Sequence, residues 1–593
     1  MFISLSRLCS SLKAICIFLG ALPVLFAVAP STPPFRIGLN GVFIGNSSLT
    51  TEQQLALFEE VGCVGLRHFN PNDVGWSSVQ YPNGLFKFTD ADAVLASAHP
   101  FGYLPTFYGA DALNYYVPPG TASTNAWSAS SYGTQTTTYL QTVVNRYKAK
   151  IKYWEIANEM NTKTTPPAGF TAAGYAAFLL YNRNAIRAAD PEAQVVIAGL
   201  LGNYGYPMAN AYSWLQDVLT AGGGAGFDVF NYHDYKSWWT LTTHFDQFRA
   251  ILDTNGLQTM PIWVSETAQA SRISTSNVNP AYASVDGQAA DVWRRPCLLF
   301  GKGVQTVFWH SFWSNSADPS GFHDMGLVDA TSGIRKKAWY SFRLLNQKVE
   351  GFSATSLVSV GTATDDNVTG GAGVWVVRFD FADGTRRWVA WSPNNQTATL
   401  AGLTGVSGLA LTTVVPSVLS SDGLTATWTS SSMTVSGDSA SITLADSPVL
   451  IEVVPRFTVW QQAHFSVTEL TDSSVSGDTA DPDSDGLANL IEYALGSDPR
   501  VASSGSSPSV GTDLGATDAL PHLIFTLQLD AGATDITSLV EVSGDLQTWQ
   551  SGSGNTEVVS DTTSANVRTL VIRDKTALDT TSRRFIRLKV THP

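Results

Sequence analysis

The feature that most constrains this fold is a series of eight short apolar runs along residues 35–348, separated by stretches of helical periodicity. Apolar runs of this length predict buried strands, and the longer amphipathic stretches predict helices. The predicted strands are Arg36–Val42, Cys63–Phe69, Gly102–Phe107, Tyr153–Ala157, Val195–Gly199, Phe227–Asn231, Pro261–Val264 and Gln305–His310. The predicted helices are Thr51–Val61, Thr136–Lys150, Ala172–Ala189, Ala209–Thr220 and Gln288–Phe300.

Strands that alternate with helices predict an α/β fold with a parallel sheet, and eight such units predict a (β/α)8 TIM barrel. The alternative is a doubly wound open sheet, in which a glycine-rich phosphate loop follows the first strand when a dinucleotide is bound. Here the corresponding residues are Gly38-Leu39-Asn40-Gly41, which do not form that fingerprint. We therefore prefer the barrel.

Two glutamates stand at the ends of predicted strands: Glu159 after the fourth, and Glu266 after the seventh. Hydrolysis of a glycosidic bond with retention requires two carboxyls about 5–5.5 Å apart, one protonated and one ionised. Because a barrel brings its strand ends to one face, we expect the two side chains to converge. We expect the side chain of Glu155, also on the fourth strand, to point toward the helices. The alternative is that each glutamate is a surface carboxylate at a helix cap.

The Asn158-Glu159 pair and the strand-terminal Glu266 resemble the motifs of clan A glycoside hydrolases, and the barrel as a whole resembles families 39 and 5. The resemblance covers roughly residues 35–348. It implies that Glu159 is the acid/base, that Glu266 is the nucleophile, and that Asn158 bonds the sugar 2-hydroxyl.

Three further strand ends match the same resemblance. Arg67 resembles the second-strand arginine that bonds the nucleophile, His233 and Tyr235 resemble the His-x-Tyr after the sixth strand, and Trp309 resembles the tryptophan that floors the −1 subsite. An ionised nucleophile also needs nearby donors. Arg67 and a hydroxyl from Tyr232 or Tyr235 are the candidates for that role.

Aromatic residues are frequent in the segments that follow the strands. They are Trp76, Tyr108, Tyr115, Tyr116, Trp127, Trp238, Trp239 and Trp313. Flat rings bury the apolar faces of sugars, so together they indicate a saccharide cleft walled by the loop 108–131. For any single residue the alternative is packing within a loop. The spacing of His233, His310 and His323 matches no zinc signature, and we expect no cofactor for catalysis.

After the predicted barrel the composition changes to Val, Thr, Ser and Gly, with turn pairs such as Asp383-Gly384. This pattern predicts a β-sandwich over 349–456, a linker over 468–500 and a β-rich domain over 508–593. Within the linker, residues 481–492 match the twelve-residue calcium loop. The expected ligands are Asp481, Asp483, Asp485, the carbonyl of Leu487, Asn489 and Glu492. The segment resembles a dockerin-like or thrombospondin-3-like repeat; the alternative is a solvated acidic linker.

The first 29 residues are typical of a signal peptide. Arg7 and Lys13 precede the apolar run Ala14–Val28, and Ala27-Val28-Ala29 offers a small-x-small cleavage pattern. The alternative is a retained membrane anchor. We expect an exported protein, secreted or at the cell surface. Outside this segment only Cys63 and Cys297 remain, which we expect to be buried thiols, with one disulfide as the alternative.

The predicted function is that of a retaining glycoside hydrolase that cleaves β-linked oligo- or polysaccharides by double displacement. The alternative is a non-catalytic carbohydrate-binding or adhesive surface protein on the same scaffold. The net charge of −14 and the lack of a basic run with interleaved aromatics make nucleic acid an unexpected partner. We expect no membrane span in the mature chain.

Overall fold

A computed structural model gives the structure of the protein. It describes residues 35–40, 49–67, 74–96, 99–107, 117–120, 127–162, 170–202, 206–272, 283–314, 324–330, 332–362, 371–420, 423–435, 437–466, 468–502, 508–515, 518–578 and 583–592. The predicted signal peptide, residues 1–29, lies outside these ranges. Within them, no helix combines the length and the apolar content needed to cross a bilayer.

The first part of the chain forms parallel strands, as predicted. They are β1 Ile37–Asn40, β2 Gly65–Arg67, β3 Gly102–Leu104, β4 Thr106–Phe107, β5 Tyr153–Ile156, β6 Gln194–Ile197, β7 Leu200–Gly202, β8 Phe230–Asp234, β9 Ile262–Thr267 and β10 Thr306–His310. Seven pair in the order β3-β2-β1-β10-β9-β8-β7, and three in the order β4-β5-β6. Only Pro105 separates β3 from β4, and only 198–199 separate β6 from β7, so the ten segments correspond to the eight predicted strands.

Helices connect these strands. They are α1 Thr51–Glu60, α2 Trp76–Val79, α3 Thr89–Leu95, α4 Ala129–Tyr147, α5 Ala172–Ala189, α6 Met208–Thr220, α7 Leu241–Thr254, α8 Val285–Lys302 and α9 Lys337–Val349, with 3-10 turns at Met160–Thr162, Gly223–Gly226 and Trp238–Thr240. Side-chain caps begin several of them; Thr50 and Gln53 form a capping box on α1. Gly303, at φ +100°, ends α8, where a side chain would be strained. The sequence did not predict α7.

The two faces of the parallel sheet carry different side chains. One face, here called the inner face, carries the cluster Phe35, Leu104, Tyr153, Val196, Val229, Trp263 and Phe308. Their neighbours along the strands, such as Trp154 and Val307, belong to the larger cluster formed with the helices. Side chains alternate between the two faces along a strand. Every second residue after a member of this cluster is therefore expected to point to the inner face as well. Cys63 and Cys297 are buried free thiols, as preferred from the sequence.

The rest of the described chain contains mostly antiparallel strands. They are β11 Trp313–Ser314, β12 Val328–Asp329, β13 Ala354–Ser359, β14 Trp375–Asp380, β15 Arg386–Trp391, β16 Thr397–Ala401, β17 Gly408–Thr413, β18 Val418–Leu419, β19 Ala426–Thr427, β20 Ser430–Thr434, β21 Ser439–Thr443 and β22 Val449–Val454. The sheet β13-β14-β15-β22-β17-β20 packs one face against the pair β16-β21. Its other face, with Trp375 and Trp391, packs against the parallel-sheet region.

The C-terminal segment combines short helices with two small sheets. Its elements are α10 Arg456–His464, a 3-10 turn Glu469–Thr471, α11 Ser473–Ser476, α12 Asn489–Leu495, β23 Ser509–Leu514, β24 Pro521–Asp530, β25 Thr537–Ser543, β26 Thr556–Ser564, β27 Val567–Ala577 and β28 Phe585–Thr591. The sheets are ordered β23-β24-β27-β26 and β25-β28. Leu495 of α12 belongs to their apolar cluster, so the helix docks on these sheets.

Candidate active site

Glu159 and Glu266 converge at the carboxyl ends of the parallel strands. One carboxylate oxygen of each, together with a ring nitrogen of His233, lies within 4.8 Å of the others. Glu159 follows β5 in a left-handed turn at φ +52°, and its backbone N–H donates to the carbonyl of Gly199 at 3.0 Å. The two carboxyls therefore face the same site, with one oxygen of each at most 4.8 Å from the other.

A β-bulge in β9 brings Glu266 to the inner face. Tyr232 pairs with Val264 and the next residue of β8, His233, pairs with Glu266, so Ser265 is an extra residue in β9. The neighbouring strand β10 shows the same register shift. Regular alternation would place Ser265 and Glu266 on opposite faces, whereas the bulge lets both point inward.

Glu266 is surrounded by donors and positive charge. Arg67 Nη1 donates to its Oε1 at 2.6 Å, and the hydroxyl of Tyr235 donates to its Oε2. The Nδ1 atoms of His233 and His310 lie 3.6 and 3.9 Å from the same Oε2. Burial disfavours the charged form, but His233, Arg67, His310 and the Tyr235 hydrogen bond together hold the pKa of Glu266 well below its ordinary value.

Glu159 is the more accessible of the two carboxyls, with 22% of its side chain exposed against 10% for Glu266. Its Oε1 lies 2.9 Å from His233 Nδ1, and the other ring nitrogen, Nε2, lies 3.0 Å from Ser265 Oγ. The histidine tautomer decides which atom of each contact donates. In one tautomer His233 Nδ1 donates to ionised Glu159, and in the other it accepts from protonated Glu159. The hydroxyl of Ser265 can accept from or donate to Nε2 accordingly.

The expectation that Glu155 points toward the helices is wrong. Glu155 is fully buried on the inner face, where its carboxylate accepts from Arg67 Nε at 2.6 Å and from Arg67 Nη2 at 2.9 Å. Arg67 Nη2 also donates to Asn158 Oδ1 at 2.8 Å. The reason is alternation from Tyr153, which faces inward, through Trp154, which faces the helices.

Two other predicted site residues, Tyr232 and Trp309, point away from the inner face and toward the helices. Tyr232 is buried against Phe248 of α7 at a ring distance of 4.7 Å, and its hydroxyl has no hydrogen-bond partner among the described residues. Trp309 belongs to the cluster shared with the helices, and its Nε1 donates to the carbonyl of Met325. Among the described hydrogen bonds neither residue bonds to the carboxyl pair, because the inward positions on their strands are taken by His233 and His310.

On β10 the inward residue is His310, which sequence reasoning did not assign to the site. It lies beside Glu266, and its Nδ1 is 3.0 Å from Asn40 Nδ2 on β1. Burial, partly offset by the charge of Glu266, lowers the pKa of His310. Its position two residues after inward-facing Phe308 was the available signal.

The aromatic residues divide into three groups. Tyr108, Tyr115 and Tyr116, with His323, lie outside the described residues. Trp76, Trp238 and Trp239 are buried, and the ring of Trp238 lies 5.2 Å from Trp375 and 5.7 Å from Trp391 of the antiparallel sheet. Trp127 is half-buried against Phe178, and Trp313 contacts Phe312 edge-on. Those aromatics that are fully buried pack in the protein interior and do not line a cleft.

Glu159, His233 and Glu266 are also close enough to hold a metal ion. A cation at this point would lie beside the guanidinium of Arg67, which already donates to Glu266 at 2.6 Å. Because like charges repel in a buried site, the arrangement favours an uncharged ligand over a metal ion.

The predicted calcium loop forms a second cluster of carboxylates. Oxygens of Asp481, Asp483 and Asp485 lie within 4.8 Å of one another. Glu492 is fully buried on α12, and its Oε2 has no hydrogen-bond partner among the described residues. Burial and the charge of Asp483 raise the pKa of Glu492 to about 7. Asn489 donates from Nδ2 to the carbonyls of 475 and 477 and leaves Oδ1 unpartnered.

Comparison with known proteins adds an independent line of evidence. Residues 45–202 match the model of glycosyl hydrolase family 10; this segment contains Arg67, Glu155 and Glu159 and ends before Glu266. No curated protein sequence matches the chain. A family 39 glycoside hydrolase from the gut symbiont Bacteroides cellulosilyticus WH2 has a similar structure, with 16% identity and a TM-score of 0.52 over 71% of this chain and 81% of that chain.

Two further solved structures are more distant. A GH39 β-xylosidase from Caulobacter crescentus has 16% identity and a TM-score of 0.46 over 72% of this chain and 96% of that chain. The catalytic domain of GH30 xylanase C from Talaromyces cellulolyticus has 16% identity and a TM-score of 0.46 over 71% and 97%. The similarity to the family 39 structure shows a shared fold. With the family-model match, the chain is an enzyme of the glycoside hydrolase class.

Proposed function

We propose that the protein is a retaining glycoside hydrolase in which Glu159 is the acid/base and Glu266 the nucleophile, acting on β-linked oligo- or polysaccharides. The observation that carries this proposal is the close pair of carboxyls in unlike surroundings. Glu266 is buried and held ionised by Arg67 and Tyr235. Glu159 is more open, and it contacts His233, whose tautomer decides which of the two donates.

The scaffold we propose is a closed (β/α)8 barrel. Three observations support closure. β1 pairs with both β2 and β10, so that Gly38 is the partner of Gly65 and of Phe308. β3 and β4 continue across one residue, and an isolated bridge from Val196 to Val229 connects β6 to the start of β8. Pairing thus passes around eight strand positions and returns to β1.

In the first step an oxygen of Glu266 attacks the anomeric carbon and the bond to the leaving oxygen breaks. Glu159 gives its proton to that oxygen, and a glycosyl ester on Glu266 results. Arg67 and Tyr235 keep Glu266 ionised before the attack. As the charge on Glu266 is lost to the new bond, their hydrogen bonds keep the ester oxygen oriented.

In the second step Glu159, now ionised, takes a proton from water. The hydroxide oxygen attacks the anomeric carbon, the ester bond breaks, and the sugar leaves with its original anomeric configuration. Contact between Glu159 and His233 Nδ1 fits both steps, because either partner can donate. Asn158, held by Arg67, is the proposed contact for the sugar 2-hydroxyl.

The test replaces the nucleophile. Glu266→Ala is expected to lower turnover of aryl glycosides by at least about 10⁴-fold, and azide is expected to restore product of inverted anomeric configuration. The control is Glu192→Ala, which removes an exposed carboxylate that forms an ion pair with Lys152. This variant should keep wild-type turnover. Normal turnover by Glu266→Ala would refute the assignment. A wild-type chain that binds polysaccharide but hydrolyses no substrate would favour the non-catalytic alternative.

We propose that the loop 481–492 binds Ca²⁺ as a structural ion. The donor set supports this: three converging carboxylates, together with Glu492 Oε2 and Asn489 Oδ1, which have no hydrogen-bond partner among the described residues. Gly486, at φ +91°, occupies the turn position of such a loop. Asp481, Asp483, Asp485, the carbonyl of Leu487, Asn489 and Glu492 would hold the ion, and bound calcium would neutralise their mutual repulsion. Catalysis itself needs no cofactor in this proposal.

The proposed domain order is a barrel over 35–348, a β-sandwich over 349–456, the calcium linker over 468–500 and a β-rich domain over 508–593. Residues 1–29 are the proposed signal peptide of an exported enzyme, secreted or at the cell surface. The supporting pattern is the pair Arg7 and Lys13 ahead of the apolar run Ala14–Val28.

A further inference from the structure

Glu155 is a buried carboxylate that the two steps above do not use. Its Oε1 accepts hydrogen bonds from Arg67 Nη2 at 2.9 Å, Asn231 Nδ2 at 2.8 Å and Gly199 N at 3.2 Å. Its Oε2 accepts from Arg67 Nε at 2.6 Å and Thr106 Oγ1 at 2.7 Å. Five donors around a side chain with no exposed surface hold that carboxylate in one place.

One path from Glu155 leads to Glu266 through Arg67. Glu155 binds the edge of the guanidinium formed by Nε and Nη2, which leaves Nη1 to donate to Glu266 Oε1. Because the guanidinium is planar and its donors are fixed relative to one another, anchoring one edge sets the direction of the remaining donor. A buried anion thus orients the cation that holds the nucleophile.

A second path leads to Glu159. Asn231 Nδ2 donates to Glu155 and, at 2.7 Å, to Ser265 Oγ, while its Oδ1 accepts from Ser265 N at 3.0 Å. Ser265 Oγ contacts His233 Nε2, and His233 Nδ1 contacts Glu159. A continuous line of hydrogen bonds, buried up to His233 and partly buried at Glu159, therefore joins the back of the site to the acid/base.

We infer that Glu155 is a positioning residue of this site, which sets where the side chains of Glu159 and Glu266 stand. The inference rests on the proposed function, since it concerns the same reaction. Glu155 acts through Arg67 and Asn231, which separate it from the carboxyl pair. Its charge has an effect as well as its shape: a neutral group there leaves the charge of Arg67 uncompensated, and this favours the ionised form of every nearby carboxyl.

The titratable and charged groups near Arg67 come from several strands. They are Glu155 and Glu159 from β5 and its following turn, His233 and Tyr235 from β8 and the residue after it, Glu266 from β9 and His310 from β10. With Glu155 neutral, the uncompensated charge of Arg67 acts on all of these groups. The basic limb of the kcat/KM profile, which requires a protonated acid, therefore moves to lower pH.

The test compares Glu155→Gln with wild type, using the 4-nitrophenyl glycoside that the wild-type chain hydrolyses fastest. The 2-deoxy-2-fluoro glycoside of the same sugar traps the glycosyl-enzyme, so its burst counts functional sites and its rate measures attack by Glu266. For Glu155→Gln we expect a full burst and trapping about 100-fold slower than in the wild type. We also expect the basic limb of its kcat/KM profile to lie at lower pH. A full burst at the wild-type rate with an unmoved limb overturns the inference.

A matched control is Glu350→Gln, which changes a partly buried carboxylate that accepts from the backbone of Arg36 and Ile37 at 3.1 Å, at the other end of β1. It should lower stability without slowing trapping or moving the limb. If Glu155→Gln does not fold, the Thr106→Val variant tests the inference instead. It removes one of the five donors to Glu155 and should slow trapping roughly fivefold. Trapping at the wild-type rate overturns the inference.

The two proposals fail in different ways. A wild-type chain that hydrolyses none of the glycosides overturns the proposed function, and this inference with it. An active wild-type chain whose Glu155→Gln variant keeps both the trapping rate and the basic limb overturns the inference alone.

Discussion

Two tyrosines three residues apart, Tyr232 and Tyr235, have opposite roles. The Tyr235 hydroxyl donates to Glu266, whereas the Tyr232 hydroxyl is buried beside Phe248 without a partner in the described part of the chain. A hydrogen bond to a carboxylate favours its charged form and lowers its pKa, while an unpartnered buried hydroxyl is a cost to stability. The same chemical change at the two positions should therefore have different results.

Tyr235→Phe is expected to raise the pKa of Glu266, because the variant loses a donor to the ionised form. In the wild type that pKa lies well below 4.5, so the acidic limb of kcat/KM should lie below pH 4.5 and should move to higher pH in the variant. We also expect kcat/KM at the optimum to fall about tenfold, the effect of one hydrogen bond to a charge. pH–rate profiles of both proteins measure this.

Tyr232→Phe is the control for that experiment. It removes a hydroxyl that makes no described hydrogen bond, so the profile should coincide with that of the wild type and the thermal midpoint should stay equal or rise. An acidic limb that stays in place in Tyr235→Phe would show that Arg67 and the histidines alone keep Glu266 ionised.

At the scale of elements, the proposed calcium loop, residues 481–492, and helix α12 form one unit. The backbone N–H groups of Asp485 and Gly486 donate to Asp481, and α12 begins at Asn489 and carries the buried Glu492. The following residue on the helix, Tyr493, donates to Asp535 in the turn between β24 and β25. Binding of an ion to the loop should therefore stabilise the region in which α12 docks.

Calcium added to chelator-treated protein should bind with about one ion per chain and raise the thermal midpoint of the C-terminal transition. At free calcium a hundredfold above Kd the gain is about 2.7 kcal/mol. Titration calorimetry and scanning calorimetry measure these effects. Glu492→Gln should abolish the response, and Glu469→Gln, which alters an ion pair with Arg500 in the same segment, should retain it. An unchanged midpoint with no binding heat would contradict the site.

Strand positions could be predicted from the sequence, but the direction of their side chains could not. Parallel strands are buried on both faces and are apolar throughout, so the alternation that marks an exposed face is absent. For that reason Glu155, Tyr232 and Trp309 were assigned to the wrong side, and His310 was not assigned. The pairing of Glu159 with Glu266 was predictable, because each follows a strand end and strand ends share one face.

Helix α7 and the position of Trp238 show a second limit. Leu241–Thr254 begins directly after Trp238 and Trp239, and the sequence suggested only a loop with aromatic residues there. The ring of Trp238 packs against Trp375 and Trp391, which lie more than a hundred residues later in the chain. A contact between distant segments leaves no periodic pattern at either of them.

At the scale of the whole molecule, the parallel-sheet region and the first antiparallel sheet share one apolar core. The tryptophan cluster is part of it, and Arg294 on α8 reaches Asp446 at 2.9 Å. The Tyr340 hydroxyl donates to the carbonyl of Gly423 at 2.6 Å. The C-terminal sheets, by contrast, have an apolar cluster of their own.

A chain that ends at residue 455 should therefore keep kcat/KM within about twofold of the full-length enzyme, since the site and its supporting core are retained. A chain that ends at residue 349 exposes Trp238 and Trp239 and should be insoluble or aggregated. Expression, size-exclusion chromatography and aryl glycoside assays of the two truncations measure this. Loss of activity in the longer truncation would show that the C-terminal segment supports the site.

Strand β9 positions the proposed nucleophile through its bulge. Because Ser265 is an extra residue, Glu266 lies opposite His233 and on the same face as Ser265. If β9 instead paired regularly with β8 over its whole length, Ser265 would lie opposite His233, and Glu266 would lie one position further along and point among the helices. A one-residue change of register in β9 would thus remove the proposed nucleophile from the site, although every carboxylate would still be present.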